Sequence, residues 1–330
     1  MKAYLPFLLV ALVAACDDTA SPDARVQLPD GGAADAGSPD ANTVVARGAY
    51  LVNTALACID CHTPRLPSGA FDMSKHMSGV DCLIDIDPAD TTMGCLSSRN
   101  LTPHATGLGA ATSEQIKTAF TTGVRPSGGF LATPMPYWLL NRLTPADQDA
   151  IVAYLKSLPP VEHQIQPSQP PFANFPFAAP AVADNMFPAA GGTGATHDSA
   201  VRGRYLATMI CVDCHTPDAE PPIPYPIDLT KMFWGNRRFG VGAPFPMFVY
   251  SANLTPHATG LAGWTVAQVV TALKMGKDNE GAGLCPPMPA GPMGPFKDLT
   301  DADATDIANY LLNLEPHENT LTGECVPPGP

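Results

Sequence analysis

Cys58-Ile59-Asp60-Cys61-His62 recurs as Cys211-Val212-Asp213-Cys214-His215, and each copy is followed by Thr-Pro (Thr63-Pro64, Thr216-Pro217). Two thiols three residues apart with an imidazole directly behind them form the attachment pattern of a c-type haem. Residues i and i+3 share one face of a helical turn, so both sulfurs can bond the vinyl groups of one porphyrin. The adjacent histidine then reaches the iron from the proximal side. A stray thiol pair or a redox Cys-x-x-Cys is the competing reading of a single copy. Two copies with a matching methionine each favour the haem. The pattern predicts two covalently bound haem c groups, on Cys58, Cys61 and His62 and on Cys211, Cys214 and His215.

Working outward, the interval from Cys58 to Cys211 recurs between Asn100 and Asn253 and between Met135 and Met288. Asn253 to Leu261 repeats Asn100 to Leu108 residue for residue. A tandem duplication of one unit is the economical reading. The sixth iron ligand must then recur as well. Met135 and Met288 do, each inside Pro-Met-Pro, where flanking prolines stiffen the loop that presents the thioether. Core methionines are the plain alternative. Met293 has Leu140 at its matching position and ranks second. His104 and His257 also recur, but inside a turn-rich loop. They are expected to face solvent or the haem propionates. Asn100 and Asn253, with Thr102 and Thr255, are suited either to hydrogen-bonding propionates or to closing that loop.

Helical patterns flank each motif. Thr112 or Ser113 is a plausible N-cap for a helix carrying Ile116, Ala119 and Phe120, ended by Gly123. Thr144, Pro145 and Asp147 open a second helix with Ile151, Tyr154, Leu155 and Leu158 on its buried stripe. Residues 46–160 and 200–316 are the expected folded units. The Pro/Ala/Gly-rich stretch 161–199 is the expected linker, lying against the domains through Phe172, Phe175, Phe177 and Phe187, and 317–330 is a tail.

The first 15 residues read as a signal segment, with an apolar run from Leu5 to Ala15 too short to span a bilayer comfortably. Ala14-Ala15-Cys16 resembles a bacterial lipoprotein cleavage site, making Cys16 the lipidated residue; an ordinary secretory signal is the alternative. Residues 16–45 are acidic and poor in large apolar side chains, which predicts a disordered tether. Export to the periplasmic face of a bacterial membrane, through that lipid anchor, follows from both features.

With 330 residues, 15% of them charged, and 37 prolines, the chain predicts loops and short helices around apolar cofactors. A net charge of −13 argues against nucleic acid as a partner. Nine cysteines are too many for an ordinary cytosolic enzyme. Beyond the haem thiols and Cys16, the preferred pairing among three possible is Cys82 with Cys95 and Cys285 with Cys325.

Asn-Leu-Thr-Pro-His-Ala-Thr-Gly-Leu, Trp264-Thr265-Val266-Ala267-Gln268, Thr122-Gly123-Val124-Arg125-Pro126 and Met135-Pro136-Tyr137 together resemble the cytochrome c subunits of membrane-bound alcohol and gluconate dehydrogenases. The resemblance covers both units. It implies an all-α fold, a pair of tandem class I cytochrome c domains with long irregular loops. Gly48 with Tyr154, and Gly203 with Tyr310, would occupy the crossing of the terminal helices. The chain has two haem motifs where those subunits usually have three, and Ala111 stands where the second copy has Trp264. Two six-coordinate His/Met haems leave no open iron position for substrate. The expectation is therefore an electron carrier, not an enzyme, relaying single electrons from a periplasmic or membrane-bound dehydrogenase to an oxidase or cytochrome acceptor. A dihaem peroxidase is the alternative, and it would need unlike ligation at the two irons.

Overall fold

Helix α1 (Ala41–Tyr50) leads into a π-helical turn (Leu51–Ala55), a left-handed Ala57 with φ of 49°, and the short helix α2 (Cys58–His62). The computed structural model describes residues 41–86, 89–173, 177–220, 224–240 and 248–320. Helix α1 thus starts inside the expected tether, while Cys16, the expected signal segment and Cys325 lie outside the described residues. The remaining helices are α3 (Ser113–Thr122), α4 (Tyr137–Leu140), α5 (Pro145–Ser157), α6 (Gly194–Cys214), α7 (Val266–Met275) and α8 (Asp301–Leu312). Helices dominate, but two small antiparallel pairs add to the expected all-α picture. These are β1 (Ile84–Asp85) with β2 (Cys95–Leu96), and β3 (Arg238–Gly240) with β4 (Phe248–Tyr250).

Local chemistry sets the helix ends. Thr112 and Thr265 each accept from the backbone N–H three residues on, and Gln115 and Gln268 reach back, so α3 and α7 both begin with a capping box. Both end on a left-handed glycine, Gly123 and Gly276. Thr144 and Thr300 cap α5 and α8 in the same way, accepting from the N–H of Asp147 and Asp303.

The long helices cross in pairs, α1 on α5 and α6 on α8. A Cβ on Gly48 would sit 1.9 Å from the carbonyl oxygen of Ala150 and 2.7 Å from Cβ of Tyr154. A Cβ on Gly203 would sit 1.9 Å from the carbonyl oxygen of Asp306. Only glycine permits so close an approach. Tyr154 occupies the first crossing; at the second, the nearest groups belong to Asp306 and Ile307, one turn before Tyr310.

Two tyrosines tie the halves together reciprocally. Tyr50 on α1 donates to the carboxylate of Asp303 and accepts from the N–H of Thr300, at the start of α8. Tyr205 on α6 donates to Oδ2 of Asp147 at 2.8 Å and accepts from the N–H of Thr144 at 3.0 Å, at the start of α5. Each half's first long helix therefore caps the last helix of the other, in the manner of a self-complementary two-fold contact. The stretch 161–199 packs into this body. Ala179 N–H donates to the Tyr137 hydroxyl at 2.8 Å, and Val182 N–H donates to the Trp138 carbonyl at 3.2 Å. Ile165, Ala179, Val182 and Phe187 are buried, Phe177 is exposed, and α6 already begins at Gly194. Phe175 lies outside the described residues.

Candidate haem sites

The first Cys-x-x-Cys-His motif makes up the whole of α2 and the second closes α6, and a helical turn aims both thiols of a pair in one direction. Cys58, Cys61, Cys211 and Cys214 are all unbonded, whereas Cys82 and Cys95 are joined by a disulfide. Cys285 is also disulfide-bonded. Desolvation at the sulfur pushes each of the four motif thiols up to about 12, even at Cys61, which as a whole residue is exposed. They stay protonated at neutral pH, unlike the low-pKa thiolates of redox Cys-x-x-Cys pairs. The carboxylates that follow the first cysteines are neutralised: Asp60 by Arg65, and Asp213 by Arg237 at 2.7 Å.

The proximal histidines carry the most informative geometry. His62 Nδ1 lies 2.8 Å from the carbonyl oxygen of Arg99, and His215 Nδ1 lies 2.8 Å from that of Ala252. A carbonyl has no proton to give, so Nδ1 donates and Nε2 keeps its lone pair. That is how a metal-ligating histidine is held, by a hydrogen bond from its other nitrogen. Burial lowers both imidazoles below their ordinary value, outweighing the hydrogen bonds, and so favours the neutral, ligating form. The backbone seals the arrangement, since Gly79 and Gly235 donate to the carbonyls of His62 and His215 at 2.9 and 2.8 Å. Thr63 and Thr216, both buried, accept from the N–H groups of Met77 and Phe233.

His104 and His257 are wired the opposite way. Their Nδ1 atoms accept from the N–H of Thr106 and Thr259 at 3.2 Å. In the neutral ring the proton then rests on Nε2, which leaves no lone pair there for a metal. Met293 is 56% exposed at the surface, while Met135 and Met288 are half-buried against the core. Each of these two sits at the end of a short turn, its N–H bonded to the carbonyl of Ala132 or Cys285.

Asn100 and Asn253 are buried in the repeated loop. Oδ1 of Asn100 accepts from the N–H and hydroxyl of Thr102, and its amide donates to Thr106 and to the carbonyl of Val161. Asn253 does the same with Thr255, Thr259 and the carbonyl of His317. All four hydrogen-bonding positions of each amide are taken within the protein. They pin the segment after each half's last helix onto the loop.

Sequence reasoning missed Arg65 and Arg237, the carbonyls that orient the histidines, and the Tyr50 and Tyr205 caps. The tyrosines recur in both halves beside recurring Thr-x-x-Asp caps, which is the signal that could have drawn attention to them.

The donor set fits a covalently bound haem in each half: paired neutral thiols, a buried imidazole with Nε2 available, and a stiffened methionine loop. Residues 200–315 match the Cytochrome c family. The chain is similar to the cytochrome c subunit of a quinone alcohol dehydrogenase from Gluconacetobacter polyoxogenes, 28% identical over 307 residues, covering 86% of this chain and 59% of that one. It is also similar to a fructose dehydrogenase cytochrome subunit from Gluconobacter japonicus, 28% identical over 285 residues and covering 82% and 52%. A diheme cytochrome c-type protein from Cereibacter sphaeroides matches at 32% over 117 residues, 35% of this chain and 36% of that one. The chain thus spans between half and three-fifths of the length of the two dehydrogenase subunits. Residues 200–315 form a cytochrome c domain, within a chain similar along most of its length to the cytochrome subunits of alcohol and fructose dehydrogenases.

Proposed function

We propose that the chain is an electron carrier holding two covalent haem c groups, one in each of two tandem cytochrome c modules spanning 46–160 and 200–316. The observation that carries this reading is the matched histidine wiring, Nδ1 of His62 and of His215 each held 2.8 Å from a backbone carbonyl behind a pair of unbonded thiols. When bound, a haem supplies reversible one-electron chemistry at its iron. Cys58 with Cys61, and Cys211 with Cys214, fix the porphyrins as thioethers. His62 and His215 are the proximal ligands, and Met135 and Met288 the distal ones. Asn100 and Asn253 act by closing the loop, not by touching the cofactor.

Sealing both axial positions with protein atoms excludes substrate from the iron and suits outer-sphere relay. The peroxidase alternative gains nothing from the relatives described, and the same methionine candidate recurs in both halves. By analogy with those relatives, the donor is a dehydrogenase and the acceptor an oxidase or another cytochrome. The net charge of −13 would steer a basic partner, with salt-sensitive rates. Cys16 would anchor the chain by a lipid at the periplasmic face of the membrane, and Cys285 would pair with Cys325. No described helix is long and apolar enough to cross a membrane.

A spectroelectrochemical titration of the purified holoprotein tests the reading. Two reversible one-electron waves and two haems per chain are expected. Rapid turnover of added peroxide, or fewer than two haems, would contradict it.

A further inference from the structure

Arg125 breaks the symmetry between the halves. It lies in a tight hairpin, closed by a bridge between Val124 and Phe130, that joins α3 to the Met135 loop. Its buried Nε has no hydrogen-bond partner, and no carboxylate pairs with it among the described residues. Burial, and then the charge of the exposed Arg99, whose carbonyl orients His62, both disfavour the charge on Arg125. In chain order both arginines fall between His62 and Met135, Arg99 on the segment that holds the proximal ligand and Arg125 on the hairpin that leads to the distal one. A partly buried guanidinium beside a second one is costly unless an anion joins them. A c-type porphyrin carries two propionate carboxylates, and these supply such anions.

The second half has the same hairpin without the arginines. A bridge between Lys277 and Gly283 closes it, and Asp278 N–H donates to the carbonyl of Ala282 as Arg125 N–H donates to that of Gly129. Asp278 therefore occupies the place of Arg125, and Ala252, whose carbonyl orients His215, occupies that of Arg99. The Asp278 carboxylate accepts from the N–H groups of Glu280 and Ala282, which hold it in place. Lys277 beside it at most cancels that carboxylate, so two cations in the first half face no net charge at the matching places in the second. The motif aspartates do not offset the contrast, because both are paired with arginine.

We infer that Arg125 and Arg99 hold the propionates of the first haem and set its midpoint potential above that of the second, so that electrons pass from the second haem to the first. The sign follows from charge: reduction removes one positive charge at the iron, so nearby cations favour the reduced form and a nearby carboxylate the oxidised one. This inference rests on the two-haem reading proposed above, and Arg125 acts as a positioning and tuning residue.

The test is a spectroelectrochemical titration of holoprotein with its haem content measured alongside. Arg125→Gln is expected to weaken reduction of the upper wave roughly tenfold, a downward shift of about 59 mV for one electron. The lower wave should stay in place, and Arg125→Lys should recover most of the shift. Because Arg125→Gln removes a partly buried group, Ala252→Arg serves as the second variant. It adds an exposed cation beside His215 and should raise the lower wave. Two haems with neither wave displaced by Arg125→Gln, or with the lower wave displaced, would overturn the inference. So would a lower wave unmoved by Ala252→Arg. Fewer than two haems in the parent protein would instead overturn the proposed function.

Discussion

The helix that leads into the first haem motif is broken, and the helix that leads into the second is not. Ten residues separate Gly48 from Cys58, whereas eight separate Gly203 from Cys211 (58 − 48 and 211 − 203). Both glycines are fixed at a helix crossing by backbone contacts, and on the proposed two-haem reading both thiol pairs face a porphyrin. Two extra residues on a regular helix would rotate Cys58 by roughly 200° about the axis. The π-helical turn at Leu51–Ala55 and the left-handed Ala57 absorb them, while α6 runs unbroken from Gly194 to Cys214. The crossing and the haem motif are therefore the constrained points, and the helix between them yields. A bulge in a helix beside a functional site is a common outcome of such an insertion.

This comparison can be broken most severely at the ligands. His62→Ala and His215→Ala should each reduce the haem content from two to one per chain, measured by pigment absorbance against protein mass. Loss of both haems from either variant would mean that the halves do not load independently.

Gly48→Ala and Gly203→Ala should destabilise about equally, by about 1–3 kcal/mol in chemical denaturation, because each drives a methyl group into a backbone carbonyl. A much milder effect at Gly48 would show that the π-helical turn lets α1 shift. The left-handed residue separates the halves further. Ala57→Gly should stabilise the first half by about 1 kcal/mol, since alanine is strained at a φ of 49°. Ile210→Gly, at the matching position inside α6, should cost about 2 kcal/mol or more.

The reciprocal caps offer a subtler contrast. Tyr50→Phe and Tyr205→Phe should each cost about 1 kcal/mol, the loss of a hydrogen-bonded helix cap. Burial, then the hydrogen bond to Asp303, pushes Tyr50 up to about 12, and burial with the charge of Asp147 pushes Tyr205 up as well. A phenol whose folded pKa lies above its unfolded value of about 10 contributes fully below pH ~10, and that contribution is lost as pH rises through the folded value. Stability measured from pH 9 to 12 should therefore fall, and each phenylalanine variant should flatten the slope. An unchanged slope in both would place the alkaline sensitivity elsewhere.

The thiol-imidazole motifs and the helix caps were legible because they are local. Three residues in a five-residue span define each motif, and a cap such as Thr112 with Gln115 lies within one helical turn. The interval shared by Cys58–Cys211 and Met135–Met288 was equally plain, since counting along the chain is enough to find it. The drift of two positions at Gly48 and Gly203 was visible too, but its consequence was not. Choosing between a π-helical turn and a shifted crossing requires knowing that both ends are pinned. The tyrosine caps depend on contacts between Tyr50 and Asp303, or Tyr205 and Asp147, which no local pattern reports. The role of Asn100 turned on counting its partners, because the same short amide serves a propionate or a loop equally well until those partners are known.

The central claim is that both cysteine pairs are thioether attachment points. Proteolysis of the purified protein and mass spectrometry of the fragments tests it most directly. Peptides containing Cys58–His62 and Cys211–His215 are each predicted to carry the mass of one haem. Unmodified thiols or a Cys58–Cys61 or Cys211–Cys214 disulfide in either peptide would contradict the account.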